Sequence, residues 1–265
     1  MIAGKHLINL IFIVFIFALF ISAANADDQA NPAMEKIFNK VKTLLDSTDS
    51  YQAIDFINSL GEPDSVAQIY SSLILDFYWK EKNLPAVITI ARAGIQYSLS
   101  QAEEFELTDP IRAKEIKRKA RIISYNLASF TWPGWDEKGI PVGHSDILIG
   151  LDAARLNLRL VKELNEGDDK LSVAYWGLGA QLMALQKYNE ANSAFAQSKA
   201  HARFAGDRMN ELLADGYIAI NKILSGDENG KKLLGSAIKE LEQMKNEDAD
   251  FFIGQFNTVL NVFIK

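Results

Sequence analysis

The sequence predicts an all-α protein built from antiparallel helical hairpins, with one long aromatic loop inserted among them. Three observations predict it. Apolar residues recur at three-and-four spacing through nearly the whole chain after residue 31. Gly, Pro, Asn and Asp punctuate that pattern, and the short connectors they mark favour adjacent antiparallel neighbours. No stretch alternates apolar and polar residues convincingly enough to read as a half-buried strand.

The first segment differs in kind from the rest. Lys5 and His6 precede an apolar run from Leu7 to Ile21, followed by small residues ending Ala24-Asn25-Ala26 and by Asp27-Asp28. A positive end, an apolar stretch and then small residues make the layout of a secretory signal peptide over residues 1–26, cleaved after Ala26. The alternative is an uncleaved membrane anchor, because Leu7 to Ala24 reaches the lower edge of what spans a bilayer. Asn9 weakens that span. A lipid anchor is excluded, since no cysteine is present to carry one.

Residues 27–63 read as a polar stretch followed by capping helices. Asn31 caps a helix over 32–47, Pro32 suits its first turn, and Ile37, Val41, Leu44 and Leu45 share one face. A short helix over 50–60 stops at Gly61. From residue 64 to the end the sequence reads as one helical-repeat domain. A helix over 64–82 is followed by one over 85–104, opened by Pro85. Asp109-Pro110 opens a helix over 110–130, charged from Arg112 to Arg121 and apolar in its second half. Thr131 to His144 is the long irregular stretch. Helices resume over 145–164, 169–186, 189–204, 207–225, 230–245 and 248–263.

One pair of these helices carries a pattern. Tyr175-x2-Leu178-Gly179-x2-Leu182 is followed by Ala191-x3-Phe195, with Tyr188 between the halves. This resembles a tetratricopeptide repeat, whose consensus is W-x2-L-G-x2-Y followed by A-x3-F. Gly179 and Ala191 are small enough for two helices to approach, while Tyr175, Leu178, Leu182 and Phe195 fill the hairpin and the gap to its neighbour. Tyr175 stands where the consensus has Trp, Leu182 where it has Tyr, and the closing proline is missing, with Arg203 near its place. Degenerate copies occur at Leu213-Ala214-x2-Tyr217, at Leu127-Ala128 with Ala154-x3-Leu158, and at Leu73-Ile74-x2-Phe77 with Val87-x3-Ala91. The resemblance implies hairpins stacked as a TPR-like solenoid, whose concave face holds a peptide or partner protein. An ordinary helical bundle is the alternative.

Composition narrows the function further. The net charge of −6 becomes one unit more negative when Lys5 leaves with the signal, a sign that argues against nucleic acid as a partner. With no cysteine in an exported chain, stability must come from burial, which suits a periplasmic protein better than a disulfide scaffold. Thiol catalysis and cysteine-ligated zinc are excluded.

Catalytic, cofactor and metal motifs do not emerge. His144 and His201 have no ligand spacing between them, and His201 reads as structural. Gly226-x3-Gly230-Lys231 is one residue short of a P-loop, and Lys232 stands where Ser or Thr is needed. Ser236-x2-Lys239 matches S-x-x-K without the companion motifs of that class. The acidic pairs Glu103-Glu104 and Asp168-Asp169 fall at helix ends, where capping and solvation explain them.

The loop resists so plain an account. Trp132-Pro133-Gly134-Trp135-Asp136-Glu137 interrupts what should be a tight turn, and His144 closes the stretch. Trp132 and Trp135 can stack on a sugar ring, a cation or a partner's apolar side chain, with Asp136 or Glu137 fixing orientation. Equally, the indoles can tuck back and plug the helical stack.

The expectation from sequence is a non-enzymatic protein- or peptide-binding scaffold, periplasmic or secreted, with no cofactor and no metal. It reaches the membrane only if the signal stays uncleaved. The alternative is a glycan- or small-molecule-binding module, or an envelope enzyme, using the 131–144 loop.

Overall fold

The computed structural model describes residues 32–47 and 49–264. The expected signal segment over 1–26 and the expected cap Asn31 lie outside the described residues. Within them the chain forms eleven α-helices and no strand. They are α1 (Pro32–Ser47), α2 (Ser50–Asn58), α3 (Pro63–Trp79), α4 (Leu84–Phe105), α5 (Pro110–Phe130), α6 (His144–Glu163), α7 (Asp168–Ala184), α8 (Tyr188–Phe204), α9 (Arg208–Leu224), α10 (Asn229–Met244) and α11 (Glu247–Phe263). A 3₁₀ turn, Pro133–Trp135, lies between α5 and α6. The all-α class is therefore that of the protein. Among the described residues no helix is long and apolar enough to cross a membrane.

Helix starts follow local chemistry. Asp49, Asn83, Asp109, Asp207 and Asn246 each accept a hydrogen bond from the backbone N–H three residues on, at 2.9–3.0 Å. Pro63, Pro85 and Pro110 occupy first turns, where a missing N–H costs nothing.

Helix ends show a regularity that the residue types only partly announce. Asn165, Gln186, Gly206 and Gly226 all take left-handed backbone, with φ of 50°, 59°, 71° and 85°. After each, a backbone N–H reaches the carbonyl five residues earlier: Glu166 to Val161, Lys187 to Leu182, Asp207 to Ala202 and Asp227 to Lys222, at 2.9–3.1 Å. This is the Schellman termination, which satisfies carbonyls the helix leaves unpaired. Lys82, at φ 52°, ends α3 in a related way, so that helix stops short of the expected residue 82.

Each helix from α3 onward packs on its sequence neighbours. In addition α3 touches α5, α5 touches α7, α7 touches α9 and α9 touches α11, so the odd-numbered helices form one continuous layer. Two main clusters of buried side chains result. One extends from Phe38 and Val41 through α3 to α6, and the other from Trp176 through α9 to Phe256 and Val259.

The residues of the tetratricopeptide-like pattern do packing work. A Cβ on Gly179 would stand 2.6 Å from the Phe195 ring, so α7 and α8 approach only because that position is bare. Leu182, Ala191 and Phe195 are buried, while Tyr175, Leu178 and Tyr188 are half-buried. Tyr175 stacks on the His201 ring at 5.4 Å. At the start of α9, Glu211 is buried and receives Arg203 at 2.6 Å and Arg208 at 2.7 Å, with Arg208 also reaching Glu240.

Candidate functional site: the aromatic loop and its cleft

The loop between α5 and α6 packs on the odd-helix layer, meeting α7, α9 and α11. Thr131 closes α5 by donating its hydroxyl to the Leu127 carbonyl at 2.7 Å. Trp132 then leaves in extended backbone and drives its indole inward, with only 2 % of the residue exposed. Its Nε1 donates to the Ala180 carbonyl on α7 at 3.1 Å. Around it stand Trp135, Trp176 and Tyr217, with ring centroids at 5.0, 5.7 and 6.0 Å. The preference of aromatic pairs for edge-to-face geometry is met in the first two, at 89° and 74°.

The turn that follows is shaped by this packing. Gly134 lies against the Trp132 ring so closely that a Cβ there would overlap it. Trp135, half-buried, folds its Nε1 back to the Ser129 carbonyl at 2.9 Å. Asp136 takes left-handed backbone at φ 51° and leaves its side chain exposed. Glu137 reaches across to Lys82 at 2.7 Å. The Lys82 ammonium in turn sits 5.0 Å from the Trp79 ring and 5.8 Å from the Tyr78 ring, a cation held between two aromatic faces and a carboxylate. Ile140 returns to the core, and Gly143 donates its N–H to Asp146 at 2.8 Å to begin α6. His144, the first residue of that helix, is exposed.

Beneath the loop lies a cleft of about 190 Å³. Trp132, Ile140 and Val142 form its walls, Asp136 and Glu137 belong to its lining, Tyr78 closes it from α3 and Val262 from α11. Tyr78 is 2 % exposed and stacks on Phe130 at 3.8 Å. Burial pushes its phenol above the ordinary tyrosine range, and the nearby Glu137 charge adds to the effect.

Of the five candidate residues, the cleft brings together Trp132, Asp136 and Glu137; Trp135 and His144 do not line it. Sequence reasoning missed Tyr78, Val262 and Lys82, which lie far along the chain and carry no motif. A second, smaller cavity of about 10 Å³ borders Trp132, Trp176 and Gln181, no larger than one water. Gln181 donates to the Ala128 carbonyl at 2.6 Å, while its Oε1 and the Trp176 Nε1 have no hydrogen-bond partner among the described residues.

Elsewhere among the described residues the candidate chemical groups are held in separate local pairs. His201 Nδ1 pairs with Asp168 at 2.7 Å, but the buried hydroxyls of Ser172 and Ser198 face each other at 3.4 Å instead of meeting the imidazole. That arrangement lacks the nucleophile–base contact of covalent catalysis. Ser236 Oγ donates to the Lys232 carbonyl at 3.2 Å. Among the described residues no group of three or more His, Asp or Glu side chains is placed to hold a metal ion.

Comparison with known proteins adds no kinship to this geometry. No protein-family model and no curated protein matches the chain.

Proposed function

We propose that this chain is an exported scaffold whose helical hairpins stack as a TPR-like solenoid and whose odd-helix face binds a protein or peptide in the cell envelope. The observation that carries the binding part is the cleft under the aromatic loop. Its volume of about 190 Å³ falls below the roughly 300–1,000 Å³ of small-molecule sites and suits one inserted side chain of a larger partner. The enclosure of Trp132 by other rings supports the same choice over a sugar-stacking platform. Support for the solenoid comes from the odd-helix layer and from the Schellman ends that recur at four successive connections. Export rests on the layout of residues 1–26 and on the cysteine-free composition.

Crosslinking in intact envelopes, read by mass spectrometry, tests both parts at once. The expected result is a recurrent partner protein attached near the 131–144 loop and an amino terminus at Asp27. Recovery of no partner, together with hydrolytic activity in the purified protein, overturns the scaffold reading. An intact Met1 in the membrane fraction overturns release.

A further inference from the structure

The cleft has a chemical preference of its own. We propose that it is a receptor for a single basic side chain, lysine or arginine, presented by the bound partner; this rests on the scaffold reading above.

Three observations lead there. First, the edge of the cleft shows how this chain holds a cation: Glu137, which lines it, receives the Lys82 ammonium beside the Tyr78 and Trp79 rings, carboxylate and π-face together. Second, Asp136 lines the same cleft and, among the described residues, makes no ion pair, so its charge is available. Third, the Tyr78 side chain closes the cleft, is 2 % exposed, and makes no hydrogen bond through its hydroxyl among the described residues. A phenol held in that position supplies an acceptor for an incoming N–H.

Ile140, Val142 and Val262 make much of the remaining lining apolar, which suits the methylene stem of Lys or Arg while the head reaches Asp136. The net charge of −6 favours approach of a basic segment.

Three blocked tripeptides, Gly-Lys-Gly, Gly-Arg-Gly and Gly-norleucine-Gly, are titrated into the whole protein while the indole N–H resonances are followed by NMR. The expected result is saturable shifts of the Trp132 signal with the lysine and arginine peptides and none with norleucine. D136N keeps a residue that tolerates left-handed backbone, so the loop is retained, and it weakens binding roughly tenfold. Y78F removes a hydroxyl without a partner, leaves the melting temperature unchanged and weakens binding several-fold. Equal shifts with norleucine, no saturable shift with any peptide, or full affinity in D136N overturns the proposal. A partner recovered by crosslinking equally well from wild type and D136N sinks the basic-side-chain receptor while the scaffold stands. Recovery of no partner from either sinks the scaffold itself.

Discussion

Replacing Trp132 by alanine removes the side chain that joins the loop to α7 and α9. An indole buries about 200 Å² on folding, and at about 25 cal/mol per Å² its transfer contributes about 5 kcal/mol as an upper figure. The hydrogen bond to the Ala180 carbonyl adds about 1 kcal/mol, and its loss leaves that carbonyl short of one partner. Partial collapse of Trp135 and Trp176 into the space recovers some of this, and buried aromatic-to-alanine changes settle at about 3–5 kcal/mol. W132A is therefore expected to lose about 4 kcal/mol. Urea unfolding followed by far-ultraviolet circular dichroism and by tryptophan fluorescence measures it. Wild type unfolds with the two signals superimposed, while W132A shows a lower midpoint and separated transitions, because the second cluster has lost its tie to the loop. A loss below about 1 kcal/mol, with both signals still superimposed, refutes the view that the indole is a core side chain.

Two further predictions follow from the packing and the charge. G179A forces a methyl group against the Phe195 ring and is expected to cost about 1–3 kcal/mol in the same unfolding assay; a neutral effect shows that α7 and α8 separate freely. For Glu211, burial pushes the carboxyl upward, but hydrogen bonds from Arg208 and Arg203 outweigh it and hold the group below the ordinary glutamate range. Its contribution is fully present above the unfolded value of about 4.3 and is lost as pH falls through the lower folded value. E211Q is thus less stable at neutral pH by about 1–2 kcal/mol and flatter than wild type across acidic pH; parallel losses in the two proteins contradict the assignment.

The helices were legible because their signals are local. Proline in a first turn, an Asp or Asn cap, and apolar residues every third or fourth position act within one or two turns, so the start at Pro110 fell where expected and those at Pro63 and Arg208 within one residue of it. The left-handed ends at Gly206 and Gly226 are legible for the same reason. The one at Gln186 is not, because glutamine has no preference for φ of 59°. The site divides in the same way. Trp132 and Trp135 announce themselves in a loop, but their direction depends on α7 and α9, and no local pattern reports whether an indole faces solvent or a distant ring. Val262 reads as one more apolar residue on a helix face, and only the return of α11 to the loop makes it a wall of the cleft. Lys82 and Glu137 meet across two intervening helices.

Phe130 belongs to the first cluster of buried side chains and Trp132, two residues later, to the second. In an array of hairpins each unit ordinarily settles against its neighbour as it is made, and the order of assembly matters little. Here the loop is complete only when α11 arrives, since that helix touches the Pro133–Trp135 turn and supplies Val262. The loop then behaves as a latch that closes last. During vectorial synthesis, with the amino-terminal end emerging first, the cleft lacks its α11 wall until nearly the whole chain is out. A chain cut before Glu247 would lack the helix that meets the turn and leave that latch open on the side of Val262.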